Sequence, residues 1–281
     1  MSPTWKVVLA GCGGISRAWL DALKNLPHVE IIGLVDIHPE AAQKRAQEYG
    51  LETALLSNDL ADILKRTAPD VVFDCAVPEA HYAITLTALS YGCHVLGEKP
   101  LADTMAHARE MVEAAQKAGK IFAVIQNRRY DANIRRVRHL IETGSIGEIT
   151  TLYSDFFIGA HFGGFRDRMR HVLLLDMAIH TFDAARFLSG ADPLTAYCHE
   201  WNPAGSWYDH DASADAIFEM SGGIHYGYHG SWCAEGLNTS WNAAWRIIGT
   251  RGSILWDGEE AIRVQRVKKA GGFFSEWEEV E

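Results

Sequence analysis

The chain has 281 residues, 48% hydrophobic and 22% charged, enough for one large domain or two ordinary ones. Its 26 Lys and Arg against 36 Asp and Glu leave a formal charge of −10, which excludes a general nucleic-acid or polyanion binder but not a local basic pocket. The apolar runs stop short of a membrane span, and Val7–Ala10 is too brief for a signal core. Five scattered cysteines (Cys12, Cys75, Cys93, Cys198, Cys233) have no Cys-x-x-Cys spacing. That fits a reducing cytoplasm, with no disulfide framework and no zinc ribbon.

The first part of the chain alternates. Lys6–Ala10 reads as a strand, Ile15–Leu26 as an amphipathic helix, Ile31–Asp36 as a strand and Pro39–Tyr49 as a helix with proline near its start. Val71–Cys75, His94–Gly97 and Ile121–Gln126 read as further strands, with helices over Glu79–Tyr91 and Thr104–Ala118 between them. Repeated βα units with short apolar strands predict a doubly wound parallel sheet. The pattern then shifts. Helices are expected over Ala132–Thr143 and Leu173–Leu188, and strands over Ile149–Ile158, Leu194–Trp201, Ala212–Met220, Ile224–Cys233, Trp241–Ile248, Ser253–Trp256 and Ala261–Val267. The turn Ser221-Gly222-Gly223 argues for antiparallel pairing of its neighbours. The expectation is an α/β chain: a dinucleotide-binding domain over 1–128 and an α+β domain with a largely antiparallel sheet over 129–281.

Gly11-Cys12-Gly13-Gly14-Ile15-Ser16 joins the first strand to the first helix. Such glycines allow a tight turn and close approach to a pyrophosphate, and the helix start supplies N–H groups and a positive dipole end. Ser16 stands where the fingerprint has Gly or Ala, and is small enough to pack. Asp36 closes the second strand about 25 residues after Gly11, against about 20 in the fingerprint. A carboxylate there accepts from ribose hydroxyls and repels a 2′-phosphate, so NAD is expected rather than NADP. Alternatively Asp36 caps the next helix.

Gly97-Glu98-Lys99-Pro100-Leu101 follows the fourth strand. Proline keeps Lys99 out of the helical region, at the strand's carboxyl end, where open α/β sheets bind ligands. The other reading is a surface lysine in a βα turn. Val77, Pro78 and His81 follow another strand and are expected to pack against the dinucleotide. Asn127-Arg128-Arg129-Tyr130 lies at a further strand end. Asn127 is read on the cofactor side, Arg128 and Tyr130 as contacts to substrate hydroxyls; equally, the segment is a lead-in to a helix capped near Asp131.

Asp176 and His180 are four residues apart in a predicted helix with apolar neighbours, so both face one side. They serve either a site or the core, where His180 is satisfied internally and Asp176 pairs with an arginine. His161, in the glycine-rich stretch Gly159–Gly164, and Arg170 are candidates to reach a polar substrate, whereas Arg166 and Arg168 are expected to be solvated. Trp207, Tyr208 and His210 either stack on a sugar or pack. His225 and His229 share a strand face without a third ligand, so no metal is expected.

Gly11-x-Gly13-Gly14-Ile15, Asp36, Glu98-Lys99-Pro100, Asn127-Arg128-Arg129-Tyr130 and Asp176-x-x-x-His180, in this order, resemble the Gfo/Idh/MocA family over nearly the whole chain. The resemblance implies an N-terminal Rossmann domain with a C-terminal α/β domain. It implies NAD(P)-dependent chemistry on a sugar, cyclitol or related polyol, and homodimers or homotetramers through the outer face of the second sheet. It places Asp176 and His180 in the substrate pocket beside Lys99 and adds Glu98 to the cofactor residues. His180 would act as general base, Lys99 would stabilise the developing alkoxide, and Asp176 would bind substrate or orient the imidazole. Two alternatives go with it: a glycoside hydrolase using NAD transiently, and a dinucleotide sensor without turnover. The family usually continues with a further strand and helix, whereas this sequence stops at the acidic run Glu278-Glu279-Val280-Glu281, as a short member or a truncated one.

Overall fold

The structure, a computed structural model, describes residues 4–280. The chain divides into two compact units, one ending at Ile125 and one beginning at Gln126. The first is a six-stranded parallel sheet in the order β3-β2-β1-β4-β5-β6. Its strands are β1 (Trp5–Ala10), β2 (Val29–Val35), β3 (Leu55–Ser57), β4 (Val71–Asp74), β5 (His94–Gly97) and β6 (Phe122–Val124). Between them run α1 (Ser16–Leu23), α2 (Pro39–Tyr49), α3 (Leu60–Thr67), α4 (Pro78–Ser90) and α5 (Met105–Ala118).

Strand alternation explains why both faces are covered. Val7 and Leu9 of β1 pack with Trp19 and Leu20 of α1 and Ala42 and Ala46 of α2. Val8 and Ala10 point the other way, into a core with Ile63, Leu64, Ala88 and Leu89. The short strand β3 and helix α3 were not anticipated. β3 is only three residues long at the sheet edge, with Leu55 and Leu56 exposed, too short to stand out as a strand in the sequence. The strand order reverses between β1 and β4, and the crevice at such a switch point is where this architecture binds ligands.

The second unit is an eight-stranded sheet in the order β14-β13-β12-β11-β7-β10-β9-β8. The strands are β7 (Ile149–Phe157), β8 (Pro193–Trp201), β9 (Ser213–Met220), β10 (Ile224–Ser231), β11 (Ala244–Gly249), β12 (Gly252–Trp256), β13 (Ile262–Lys269) and β14 (Glu276–Val280). All neighbours are antiparallel except β7 and β10. Helices α6 (Ala132–Glu142) and α7 (Ile179–Ser189) contribute Ile134, Val137 and Leu188 to a core with Leu152, Phe156, Tyr226 and Trp245. On the opposite face Tyr197, Ile217, Gly227 and Tyr153 lie side by side across four strands, and all but the glycine are well exposed.

Two expectations need correction. The strands do not end at Val267: β13 runs to Lys269 and Glu276–Val280 pairs with it as a further strand, where Glu278 and Glu279 meet Arg266 and Arg263 across the ladder. Nor is Leu173–Leu188 one α-helix. Leu173–Ala178 is a π-helix that passes into α7 at Ile179, and His171 just ahead of it has a left-handed φ of 53°.

Candidate active site

In the first unit the glycine loop lies between β1 and α1. Gly11 has φ 91°, and a Cβ there would come within 2.6 Å of Ala76 N, so only glycine lets the loop pass the exit of β4. Gly13 and Gly14 differ: nothing lies within 4 Å of a Cβ built on either, and both are exposed with Ile15 at the start of α1. Among the described residues the loop's hydrogen bonds leave the Gly13 and Gly14 N–H groups uncommitted. An open backbone surface with outward N–H groups at a helix start fits a diphosphate.

Asp36 directly follows β2. Its Oδ2 accepts from Cys12 N–H at 2.8 Å and its Oδ1 from His38 N–H at 2.9 Å. It is not a helix cap, because α2 starts only at Pro39. It ties the glycine loop to the end of β2 and keeps lone pairs free for ribose hydroxyls. Burial, and then the Asp36 charge, push the Cys12 thiol up to about 12.

Val77 is exposed at the start of α4, with Pro78 in its first turn. His81 is turned inward in the first turn of α4. It is 2% exposed, and its Nδ1 lies 2.9 Å from Oδ2 of the buried Asp74. The first turn of α4 aims it into the unit. Glu98 is likewise occupied internally: Oε1 accepts from Trp19 Nε1 at 2.7 Å, and Oε2 from the Lys99 N–H at 3.2 Å. The buried carboxylate thus fixes the lysine's backbone from behind. Lys99 itself is half-buried at the carboxyl end of β5, and its peptide bond to Pro100 is cis.

The second unit holds the other candidates. Asn127–Tyr130 forms a 3-10 turn, and Asp131 caps α6 by accepting from the Asn133 and Ile134 N–H groups. Asn127 and Tyr130 are exposed. Arg129 makes a bidentate pair with Asp183, both bonds at 2.6 Å. Arg128 donates to the Trp241 carbonyl and to Met177 Sδ, which ties it to the turn carrying Asp176. Burial pushes its guanidinium down to about 10.

Asp176 sits in the π-helix and His180 in the first turn of α7. The imidazole is 9% exposed. The expectation that Arg166 is solvated is overturned: it forms a bidentate pair with Asp176 at 2.6 and 3.2 Å. Its guanidinium also lies 5.0 and 4.7 Å from the ring centres of Phe162 and Phe165. Nothing local in the sequence marks this pair, because its members lie ten residues apart, one in the 3-10 turn Arg166–Arg168 and one in the π-helix. His161 stacks on Trp207 at 3.6 Å and meets Glu235 at 2.8 Å, so it belongs to a loop–loop contact. Arg170 is exposed. Tyr208 is a packing residue, its hydroxyl donating to the Ala160 carbonyl. His229 does meet a carboxylate, Asp155 at 2.9 Å, on an exposed strand face.

Comparison with known proteins adds the family. Residues 5–126 match the oxidoreductase family with an NAD-binding Rossmann fold, and residues 134–255 match the GFO/IDH/MocA C-terminal domain. The chain belongs to the Gfo/Idh/MocA oxidoreductase family. The uncharacterised protein y4oX from Sinorhizobium fredii is 30% identical over 92% of this chain and 74% of its own length. D-glucoside 3-dehydrogenase from Escherichia coli is 34% identical over 58% of the chain and 47% of its own length. Myo-inositol 2-dehydrogenase from Thermotoga maritima is 26% identical over 66% and 55%. With the last two, the match spans about half of the relative's length. An Agrobacterium radiobacter oxidoreductase solved with NAD+, L-tartaric acid and magnesium shares the fold, with a TM-score of 0.87 at 22% identity, over 92% of this chain and 76% of that one. Among the described residues no helix is long and apolar enough to cross a membrane.

Proposed function

We propose that the protein moves a hydride between a nicotinamide cofactor, NAD in preference to NADP, and a secondary alcohol of a sugar, sugar derivative or cyclitol. The observation that carries the reading is the pairing of an open glycine loop with Asp36 at the end of β2, in a chain whose family is oxidoreductive. Relatives named for glucosides and inositol support the polyol substrate.

When bound, the nicotinamide accepts or donates the hydride. The loop N–H groups of Gly13 and Gly14 hold the diphosphate, Ile15 flanks it, and Asp36 accepts from the adenosine ribose. In the direction of oxidation, His180 takes the substrate hydroxyl proton. Lys99, its backbone fixed by Glu98, stabilises the developing alkoxide. Asp176, oriented by Arg166, accepts a hydrogen bond from substrate. Arg128, joined to the same turn through Met177, contributes a desolvated cation to the substrate side. Homodimers or homotetramers through the second sheet belong to the same proposal, supported by the exposed row of Tyr197, Ile217 and Tyr153.

The test is absorbance at 340 nm with NAD+ and a panel of sugars, sugar acids and inositols, beside His180→Ala. NADH formed with one polyol and lowered about 10²–10⁴-fold in the variant is the expected result. Full turnover in His180→Ala, or glycoside cleavage with no net NADH, sinks the proposal.

A further inference from the structure

Arg45 of α2 is an anomaly, because a buried arginine is rare without a reason. It is 5% exposed, yet its main bonds run to backbone. Nη2 donates to the carbonyls of Cys12 at 3.1 Å and Gly13 at 2.8 Å. Nη1 donates to Glu48 at 2.5 Å, and Glu48 is also held by Arg17 Nε at 2.9 Å, from the first turn of α1. The Arg45 Nε lies buried without a partner, so the side chain carries a desolvation cost.

The two carbonyls are not arbitrary. A trans peptide is planar, and its C=O and N–H point in opposite directions. Cys12 C=O shares a plane with Gly13 N–H, and Gly13 C=O shares one with Gly14 N–H. Drawing both carbonyls back toward α2 turns both N–H groups outward. These are the two glycines with open space around them, so no packing stops their peptides from flipping. A flipped plane would present a carbonyl dipole to a phosphate. The Gly13 carbonyl also accepts from Ser16 Oγ at 2.7 Å, which fills its second lone pair.

We propose that Arg45 is a positioning residue for the cofactor: without touching it, Arg45 locks the two peptide planes whose N–H groups hold the diphosphate. This rests on reading the Gly11–Ser16 loop as the diphosphate cradle. It also removes Arg45 as a 2′-phosphate ligand, because its donors are turned to the loop and to Glu48.

The experiment is calorimetric titration of NAD+, and saturation-transfer NMR with adenosine, on the parent chain, Arg45→Met, Arg45→Lys and Asp36→Ala. Arg45→Met is expected to weaken NAD+ about tenfold and to leave adenosine unchanged. Arg45→Lys, a point donor in place of a fork, recovers part of the loss and carries the test if the methionine variant does not fold. NAD+ affinity within about twofold of the parent in a folded Arg45 variant overturns the proposal. So does an equal loss of adenosine, which marks general loosening of the unit. Asp36→Ala separates the two ideas: it weakens both ligands if the site reading holds, and unchanged affinity removes that reading whatever Arg45 does.

Discussion

The two units present polar chemistry in opposite ways. In the first, the ligand-facing groups are largely backbone N–H groups; the buried side chains of Arg45 and Glu98 and the part-buried Asp36 hold that backbone in place. In the second, the candidate groups are side chains held mostly by side chains from other segments: Asp176 by Arg166, Asp183 by Arg129, and Arg128 by Met177 Sδ together with the Trp241 backbone carbonyl. A backbone site tolerates little change in conformation, whereas a side-chain site tolerates little change in partner.

That contrast sets the expected effects. The largest is the loss of turnover in His180→Ala. Next is Gly11→Ala, where a Cβ 2.6 Å from Ala76 N at φ 91° meets fixed backbone. It is expected to cost about 3 kcal/mol of stability and to weaken NAD+ binding in what remains folded, measured by urea denaturation and calorimetry. A stable variant with parental affinity would mean that the loop does not need this conformation. Arg166→Met in the second unit should act on turnover more than on folding. Its partner Asp176 keeps a side chain 11% exposed, and without the pair its carboxylate loses its orientation, so kcat/KM is expected to fall about tenfold with NAD+ affinity unchanged. An unchanged kcat/KM would show that the pair orients nothing used in catalysis.

The smallest effect sharpens the comparison from the other side. Cys12 lies inside the glycine loop with its thiol held protonated well above neutral pH. At pH 8, iodoacetamide should label the exposed Cys198 before Cys12, as read by peptide mapping. Early labelling of Cys12 would show that the loop opens in the absence of ligand.

The first unit was the more legible. Its short apolar strands, the glycine run and Asp36 express constraints within one βα unit, and local sequence carries such constraints. Even there, the Trp19–Glu98 bond joins residues 79 apart and left no trace in the pattern. The His81–Asp74 contact was likewise illegible. Position after a strand suggests a ligand, but the turn of α4 aims the imidazole at Asp74. In the second unit the sheet was recognisable from alternation and turn residues. The parallel pairing of β7 with β10 was not, because strand order depends on long-range closure rather than on the pattern within a strand.

By itself the sequence determined the family, the doubly wound sheet, the glycine loop and the acidic residue at the end of β2, because each rests on neighbours or on a fixed short spacing. Only the tertiary structure decided that the Asp176 turn is a π-helix, that Arg166 rather than solvent meets its carboxylate, and that Arg45 reaches back to the glycine loop. Those outcomes turn on which distant side chain arrives with the right charge and reach. Physical chemistry settles that in space, with no period along the chain to announce it.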